Sequence, residues 1–447
     1  MTSLNTASYI AASSLNATQV QLSVASANIA NADTDGYTAK SATVTSQATL
    51  GYGAGVSVSG ISSSVSKYLL EDLLSATTNT ASATVTADYL NTLQLSFGAT
   101  SGNDGDGGSL ANTIAAFESA LAELAETPES ESLASAAVSS LEDVTNQLNS
   151  LSSGIQEQID QANEEIADAV TATNELIETV DALNEQIEAA IARGDSTADL
   201  EDELNIALVS LSEQMEISTF KGDDGTVKVY TDSGKVLVDS SAHLLATGTD
   251  ANGNTTISVD GTYITEVLDG GKLGALIELR DETLPAYQEA LDEFTATFIE
   301  GLNSVSTGLL TGTGAADITV SDAVKSDPGS MLGETLPTEV AYDMLDILQN
   351  DANFDATGEL AGGDMTFTDY ANDMLANLVT KTNSAQTLLE IAESELTTVS
   401  DTISSMYGVN VDEELTRLSE LEQLYSVAST LLSVVQDMFD DLLAAVQ

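Results

Sequence analysis

The chain has 447 residues and carries 71 acidic against 11 basic side chains, a formal net charge of -60. Such a surface repels phosphate backbones, so the charge excludes a nucleic-acid partner and argues against binding to an anionic membrane. The sequence has no cysteine, which excludes disulfides and thiolate chemistry. Its first segment has neither a basic residue nor a long apolar run, so we expect no cleaved signal peptide.

The first predicted element is a helix over residues 4–29. Large apolar and small side chains alternate along one of its faces at steps of three and four residues, namely Leu4, Ser8, Ala11, Leu15, Thr18, Leu22, Ala25 and Ile29. The outer face carries Ser, Thr, Asn and Gln, so few charged pairs support the helix. We therefore expect it to be marginally stable until it packs against another element.

The next strong pattern predicts a helix of unusual length over residues 130–192. Apolar side chains recur at steps of three and four, and only Gln158 and Thr173 break the series. Gly194 then provides a C-terminal stop. Provided that Gly154 does not interrupt it, this helix is a rod about 90 Å long.

The pattern changes to strands between residues 218 and 365. Valines alternate with polar residues on both sides of a glycine-containing turn, which predicts a hairpin over 226–239. Helices are predicted before and after this region, over 198–216 and 368–406. A further helical stretch over 284–305 belongs either to the long-helix part or to the strand-rich part, and its pattern leaves both placements open.

The last predicted helix has an unusually wide apolar face. One series contains Leu421, Leu424, Ala428, Leu431, Val435, Met438 and Leu442, and a second stripe beside it contains Leu418, Tyr425, Leu432 and Phe439. One interpretation is a terminal helix docked on a globular core. The other is that the two ends of the chain pair with each other and with copies from other molecules. Heptads this short do not decide between them.

Together these elements predict a mainly α-helical fold with a β-rich inserted domain. A terminal helical assembly domain would comprise residues 1–45 and 405–447, with heptad helices that pair as a coiled coil. A long-helix shaft domain would comprise 46–217 and 365–404. The third domain, over 218–364, would be a β-rich outer insertion.

No pattern in the sequence predicts a catalytic, metal or cofactor site. His243 is the only histidine, and a lone histidine without cysteine does not make a zinc site. The acidic loop 101–109 fails as an EF-hand, because the twelfth position counted from Asp104 is Ala115 rather than Glu. Chance pairs of carboxylates are inevitable among so many acids, so an exported carboxylate-based hydrolase stays an alternative without specific support.

Motifs at the two ends resemble a known family. The first has the form Ser-x-Asn-Ile-Ala-Asn-x-x-Thr-x-Gly-Tyr and consists of Ser26, Asn28, Ile29, Ala30, Asn31, Thr34, Gly36 and Tyr37. The stretch GYGAGVSVSGI (51–61) resembles the strand that follows this motif, and residues 407–443 resemble the C-terminal helix. All three are similar to the axial proteins of the bacterial flagellum, which comprise rod, hook and hook-associated proteins.

The long helix and the strand-rich insert resemble, more narrowly, the hook-associated proteins at the junction of hook and filament. This resemblance implies a structural protein, not an enzyme, that is exported unfolded through the flagellar type III apparatus with an export chaperone and assembles outside the cell. The implied partners are copies of itself, the hook protein on one side, and a second junction protein or the filament on the other. A hook or distal rod protein of the same family is the alternative.

The resemblance also implies that both terminal helices form the contacts between subunits. The predicted interface residues are Leu4, Ala11, Leu15, Leu22, Ile29, Leu421, Leu424, Tyr425, Leu431, Leu432, Val435, Met438, Phe439 and Leu442. One departure concerns the helix after Gly194, where family members often carry an Asp-x-Arg-Asp pattern. Here Glu201, Asp202 and Glu203 stand without an arginine, so the sequence does not support an internal ion pair at that place.

Overall fold

The computed structural model describes residues 2–34, 36–49, 52–63, 66–98, 108–333, 336–358 and 360–446. Its helices are α1 (Thr2–Ala30), α2 (Lys67–Phe97), α3 (Leu110–Glu126), α4 (Glu131–Arg193), α5 (Ala198–Gln214), α6 (Gly271–Glu278), α7 (Leu284–Val305), α8 (Asp322–Ser326), α9 (Pro337–Gln349), α10 (Phe367–Tyr407) and α11 (Val411–Val446). A π-helical turn joins α6 to α7.

Among the described residues, the strands pair antiparallel, and all except the first two have five residues or fewer. They are β1 (Ser41–Thr49), β2 (Tyr52–Ser62), β3 (Ile217–Lys221), β4 (Val227–Thr231), β5 (Val236–Val238), β6 (Leu245–Thr249), β7 (Thr255–Val259), β8 (Thr262–Tyr263), β9 (Leu310–Thr311), β10 (Thr319–Val320), β11 (Ala352–Phe354) and β12 (Gly363–Met365). The predicted fold class, mainly helical with a β-containing part, is confirmed.

The longest helix, α4, runs for 63 residues without a break, as its pattern predicted. Gly154 lies inside it and does not interrupt it. At its start the Ser130 side chain accepts a hydrogen bond from the Leu133 N–H, which satisfies one of the free donors of the first turn. At its end Gly194 adopts a left-handed conformation with φ 76° and bonds back to the carbonyls of Ala190 and Ile191.

A bundle of helices surrounds α4, and we call α2 to α10 with the intervening strands the shaft bundle. In it α4 packs against α3, α5, α6 and α7, while α2 packs against α5, α6 and α10. One continuous hydrophobic core runs from Leu74 to Ala385. Since α7 contacts α4, α9 and α10, the helix whose placement the sequence left open packs with the long helices.

A group of aromatic rings forms one part of this core. Its members are Phe294, Phe298, Phe354, Phe367 and Tyr370, whose interacting rings have centroids 4.3 to 6.5 Å apart. They come from α7, α10 and β11, so the group joins distant parts of the chain. Edge-to-face and offset arrangements of this kind stabilise a core beyond the area that they bury.

The strands β3 to β8 form two three-stranded sheets, and α4 contacts β5, β6 and β7. The predicted hairpin over 226–239 is confirmed as β4 and β5. Asparagines on α4 hold the strands by their backbones, because Asn184 both donates to and accepts from Val227, at 2.8 Å each. Asn174 makes the same pair of bonds with Leu245. The domain boundaries proposed from sequence remain predictions.

No sequence pattern predicted α2. Its buried face combines Ala76, Thr77, Thr78 and Ala87 with leucines, so small and polar side chains replace the apolar stripe that marks an amphipathic helix. The hydroxyl of Thr78 donates to the Leu74 and Ser212 carbonyls. Tertiary packing therefore stabilises a helix that periodicity does not reveal.

The two ends of the chain pack against each other, and we call α1 and α11 the terminal pair. The β1–β2 hairpin lies against α1, where the Val56 N–H donates to the Ser13 hydroxyl at 3.2 Å. The buried side chains of the terminal pair do not belong to the continuous core of the shaft bundle. Among the described residues, no helix is both long enough and apolar enough to cross a membrane.

Candidate functional site: the terminal pair and its polar junction

The apolar face of α11 is divided between a buried and an exposed half. Leu421, Ala428 and Val435 are buried against α1, at 5 to 7% exposure. The other members of the series, Leu424, Leu431 and Met438, point away from this contact and are 47 to 57% exposed. The seam with α1 therefore uses alternate members of the predicted series. Around the buried members, Leu418, Leu432 and Phe439 are half-buried and Tyr425 is more exposed.

The exposed half forms a continuous stripe that we call the outer stripe. It consists of Leu424, Val427, Leu431, Val434 and Met438, which are between 47 and 66% exposed. Leu442, which is 41% exposed, continues it toward the end of the helix. These side chains recur at steps of three and four, so they form one face of the helix. The α1–α11 contact thus leaves about half of the wide apolar face uncovered.

On α1 several of the buried positions are small. Ala11, Thr18 and Ala25 are at most 5% exposed, while the predicted interface residues Leu4, Leu15, Leu22 and Ile29 are half-buried. Small side chains allow the two helix backbones to approach closely. The larger ones lie at the border of the contact, where they keep part of their apolar surface in solvent.

The end of α1 is held by a fully buried asparagine. Asn28 is 0% exposed, and its amide oxygen accepts from the Lys40 N–H at 3.0 Å and the Tyr37 hydroxyl at 2.9 Å. Its amide nitrogen donates to the Lys40 carbonyl at 2.9 Å and to the Glu414 carboxylate at 3.1 Å. The amide thereby makes the four hydrogen bonds of which it is capable, and it links the N-terminal motif to the first turn of α11.

A buried ion pair connects the same segment to the shaft bundle. Lys40 and Asp202 are 6% and 5% exposed, and the Lys40 ammonium lies 3.5 Å from the Asp202 carboxylate and also contacts Asp199. Asp202 further accepts from the Thr38 N–H at 3.1 Å and the Thr38 hydroxyl at 2.6 Å. An internal ion pair therefore exists where the sequence did not support one, because Lys40, distant in sequence, supplies the cation instead of an arginine on α5.

We call Asn28, Tyr37, Thr38, Lys40, Asp202 and Glu414 the polar junction. Burial raises the pKa of the Tyr37 hydroxyl above its ordinary value, and the negative charges of Asp202 and Glu414 add to the shift. The Tyr37 ring also lies under the Lys40 ammonium, 4.4 Å from the ring centroid to the nitrogen. The tyrosine is thus kept neutral and remains a hydrogen-bond donor to Asn28.

The remaining motif residues shape the turn after α1. Asn31 donates to the Ala27 carbonyl at 2.9 Å and accepts from the Thr34 hydroxyl at 3.4 Å, while Ile29 is half-buried and Ala30 exposed. Gly36 has φ +73°, and a Cβ there would lie 2.6 Å from a side-chain carbon of Ile206. Its backbone conformation therefore favours glycine, and a Cβ would in addition displace the Ile206 side chain of α5.

A cleft lies beside the polar junction, between the turn after α1 and the shaft bundle. It has a volume of about 740 Å³ and apolar walls that include Leu70, Leu73, Ile206 and Ile403. Because this space is open, few apolar contacts tie the terminal pair to the shaft bundle. The polar junction therefore provides the most specific contacts between the two regions.

Other sequence candidates show no catalytic arrangement. Among the described residues, no three His, Cys, Asp or Glu side chains converge in a way that could hold a metal ion, and most of the acidic loop 101–109 lies outside those residues. His243 is partly exposed, with its ring nitrogens 2.7 Å from Asp260 and 3.3 Å from Asp239. These carboxylates, Asp260 first, raise the pKa of the imidazole.

Sequence reasoning missed Lys40, Asp202 and Glu414 as members of the site. One signal was present, because Lys40 is the only basic residue among the first 66. A lone basic residue in a segment with so few charges is a signal of a specific acidic partner. The chain has 71 acidic residues, and only the three-dimensional structure shows which of them is that partner.

Comparison with known families gives three matches along the chain. Residues 9–38 match the flagella basal body rod protein family, and residues 403–445 match the C-terminal family of the flagellar basal body rod FlgEFG proteins. Residues 100–318 match the helical domain of the flagellar hook-associated protein FlgK. The two rod-type matches cover the terminal pair, and the helical-domain match covers α3 to α7.

Two individual relatives are similar to the chain. Flagellar hook-associated protein 1 of Escherichia coli strain K12 is 25% identical over 311 residues, which is 66% of this chain and 56% of that protein. The flagellar hook junction protein FlgK from Burkholderia pseudomallei has a TM-score of 0.47 and 24% identity, over 54% of this chain and 44% of the other. The chain thus spans little more than half the length of the curated relative.

The rod-type segments at both ends define the class: an axial protein of the flagellum, built around paired terminal helices. Within that class, the matches to the FlgK helical domain and to hook-associated protein 1 separate this chain from rod and hook proteins. Over residues 100–318 the chain is similar to the helical domain of the flagellar hook-associated protein FlgK.

Proposed function

We propose that this chain is a structural, non-catalytic component of the bacterial flagellum that joins the hook to the filament outside the cell. It assembles through the terminal pair, with copies of itself as its lateral neighbours. The hook protein lies on one side, and a second junction protein or the filament lies on the other. Export in an unfolded state, with an export chaperone, agrees with a terminal pair that has little core of its own.

The observation that carries this proposal is the outer stripe on α11. Five large or medium apolar side chains on one face are about half exposed or more, and contiguous exposed apolar surface of this kind is typical of protein–protein contacts. Its first four members, from Leu424 to Val434, also lie in a charge-free segment, since residues 423–436 contain no Asp, Glu, Lys or Arg. In a chain of net charge -60, an uncharged apolar face is where a second identical copy meets least repulsion.

The test adds one negative charge at matched places on α11. Leu431→Asp places a carboxylate in the outer stripe, whereas Ser433→Asp places the same charge on an exposed polar face of the same helix. We expect Leu431→Asp to abolish self-association in sedimentation velocity and to prevent complementation of motility, because burying an unpaired charge is costly. Ser433→Asp should behave as wild type. Equal behaviour of the two variants would refute the interface.

Truncation tests the proposal at the level of domains. Removal of residues 1–30 or 420–447 should leave a folded shaft bundle that no longer joins hook to filament. Limited proteolysis of the intact chain should trim both ends first and leave a resistant fragment of about residues 45–400. A truncated chain that restores motility would contradict the assembly role of the terminal pair.

The two alternatives have weaker support. A hook or distal rod protein would share the end motifs but not the FlgK helical-domain match over residues 100–318. A carboxylate-based hydrolase has no geometric support among the described residues. A peptidoglycan zymogram provides its test, since clearing by the wild type that an acid-to-amide substitution removes would establish catalysis.

A further inference from the structure

The cleft beside the polar junction has a floor and two walls made of helices. Leu70, Leu73 and Thr77 of α2 line it at steps of three and four residues and form its floor. One wall is α5, which is bonded to α2 where the Thr78 hydroxyl donates to the Ser212 carbonyl at 2.8 Å. The other wall is α10, which also packs against α2. The floor is therefore about 10 Å long, the rise of two helical turns.

The walls present apolar side chains to this space. Ile206 and Val209 lie on α5, and Leu396 and Ile403 lie on α10. Of these, Ile206 is 45% exposed. The cleft has a volume of about 740 Å³, and about 300–1,000 Å³ is typical of ligand sites in proteins. An apolar groove between two helices is the form of site that receives the apolar face of an amphipathic segment.

The charged side chains that line the cleft all have the same sign. Glu213 lies on the α5 wall, Asp401 on the α10 wall and Asp33 in the turn after α1, and all three are exposed. No lysine, arginine or histidine of the described ranges lines the cleft. The protein around Glu213 removes part of its hydration and thereby raises the pKa of its carboxyl. A cation brought to this rim would stabilise the ionised carboxylates.

The floor of the cleft contains a polar group without a partner. Thr77 is 4% exposed, and in the part of the chain that the structure describes no group bonds to its hydroxyl. The neighbouring Thr78 hydroxyl, by contrast, donates to two carbonyls. A buried hydroxyl without a partner costs stability, and a polar group of a ligand that reaches the floor would remove this cost. Thr77 therefore indicates an occupant independently of the three carboxylates.

We propose that this cleft binds a basic amphipathic segment of a different protein, whose apolar side chains lie on the α2 floor and whose lysine or arginine side chains reach Glu213 and Asp401. Because these carboxylates lie on the two walls, they match basic residues on both flanks of an apolar stripe. A second copy of this chain is a poorer occupant, since its net charge of -60 has the same sign as the rim. The site is separate from the outer stripe, so this inference goes beyond the proposed self-association and does not depend on it.

Fluorescence anisotropy with labelled synthetic peptides tests the site in the full-length chain. The probe is a Leu/Lys peptide of about three helical turns, with leucines along one face and lysines on both flanks. Two reference peptides replace either the lysines by glutamates or the leucines by serines. We expect both references to bind about tenfold more weakly or worse, because each lacks one half of the complementarity. Measurement at about 0.15 M salt shortens the Debye length to about 8 Å and limits attraction by the net charge.

Two isoleucine variants test the apolar wall. Ile206→Ser removes a side chain of the α5 wall that is 45% exposed. Ile191→Ser is the matched control, because that isoleucine of α4 is 47% exposed and does not line the cleft. We expect Ile206→Ser to weaken binding of the Leu/Lys peptide about tenfold, and Ile191→Ser to bind it as wild type does. Circular dichroism of each variant verifies its fold.

Two pairs of charge variants test the rim and keep the proposal falsifiable if an apolar variant fails to fold. Glu213→Gln with Asp401→Asn removes one exposed charge from each wall. Asp143→Asn with Glu157→Gln removes two exposed charges of α4 outside the cleft. The rim pair should weaken binding of the Leu/Lys peptide about tenfold, whereas the α4 pair should leave it unchanged.

Each other outcome overturns the proposal in a recognisable way. Equal weakening by the two charge pairs, or undiminished binding of the serine peptide, would show only a general attraction between cationic peptides and an acidic chain. Absence of binding by the Leu/Lys peptide would exclude the site. Self-association that Ile206→Ser weakens would identify a second copy as the occupant. Leu431→Asp should leave peptide binding unchanged, so failure of the outer stripe and failure of the cleft are observed separately.

Discussion

The shaft bundle and the terminal pair are stabilised in different ways. The shaft bundle has a continuous core with fully buried leucines, isoleucines and phenylalanines, and it can carry a large negative charge on its outside. The terminal pair has a narrow seam, its helix α1 carries no charged side chain, and it leaves the outer stripe of α11 uncovered. The comparison indicates that one region is stable by itself, whereas the other reaches its full stability only when neighbours cover it.

The largest effect is expected from the aromatic group of the shaft bundle. Phe294→Ala removes a ring that is 0% exposed and should lower the free energy of unfolding by about 4 kcal/mol, since the cavity adds to the lost transfer energy. Phe220→Ala, at a ring that is 58% exposed, should cost within about 0.5 kcal/mol. Urea unfolding followed by circular dichroism measures both. Similar costs would contradict the burial of the aromatic group in the core of the bundle.

The next effect tests the connection between the two regions. Asn28→Ala leaves the Lys40 backbone and the Glu414 carboxylate without their partner, and we expect a cost of about 3 kcal/mol to the docking of α1 and α11. Asn16→Ala is the matched control, because that asparagine is exposed on the same helix and its substitution should change the stability by about 0.5 kcal/mol or less. Hydrogen exchange resolved by mass spectrometry reports on each helix. Faster exchange should appear in α1 and α11, with the core of the shaft bundle unchanged.

A smaller effect is expected within the terminal seam itself. Leu421→Ala removes a buried side chain and should destabilise the α1–α11 contact by about 2 kcal/mol, the low end for leucine because the seam is only one layer deep. Leu424→Ala, three residues further on and 57% exposed, should leave exchange of the monomer unchanged. If both variants accelerate exchange equally in dilute protein, the assignment of the seam is wrong.

The smallest effect concerns His243 on the strand-rich side of the bundle. Its pKa is raised by the Asp260 and Asp239 carboxylates, so the protonated imidazole stabilises the folded state. This contribution is complete below the unfolded pKa of about 6.5 and is lost as the pH rises through the higher folded value. Since the chain has one histidine, an NMR titration follows it directly. Asp260→Asn should lower its pKa, and an unchanged pKa would exclude the ion pair.

Much of the fold could be predicted from periodicity. The length of α4, its end at Gly194, the terminal helices and the β4–β5 hairpin each follow from local spacing and stop signals. The helix α2 could not be predicted, because its alanines and threonines become a buried face only when α5, α6 and α10 cover them. On α11, the pattern revealed an apolar face but not its division between buried Leu421 and exposed Leu424.

The sequence by itself determined the class of protein, since the Asn28 to Tyr37 motif and the matching last helix can be recognised without coordinates. It also determined the contrast in charge between α1, which carries no charged side chain, and α4, which carries thirteen acidic ones. The tertiary structure decided which charges meet: Lys40 pairs with Asp202, 162 positions away, and Asn28 bonds to Glu414, 386 positions away. Local patterns cannot encode such pairs, because the chain path that brings them together depends on the packing of the whole bundle.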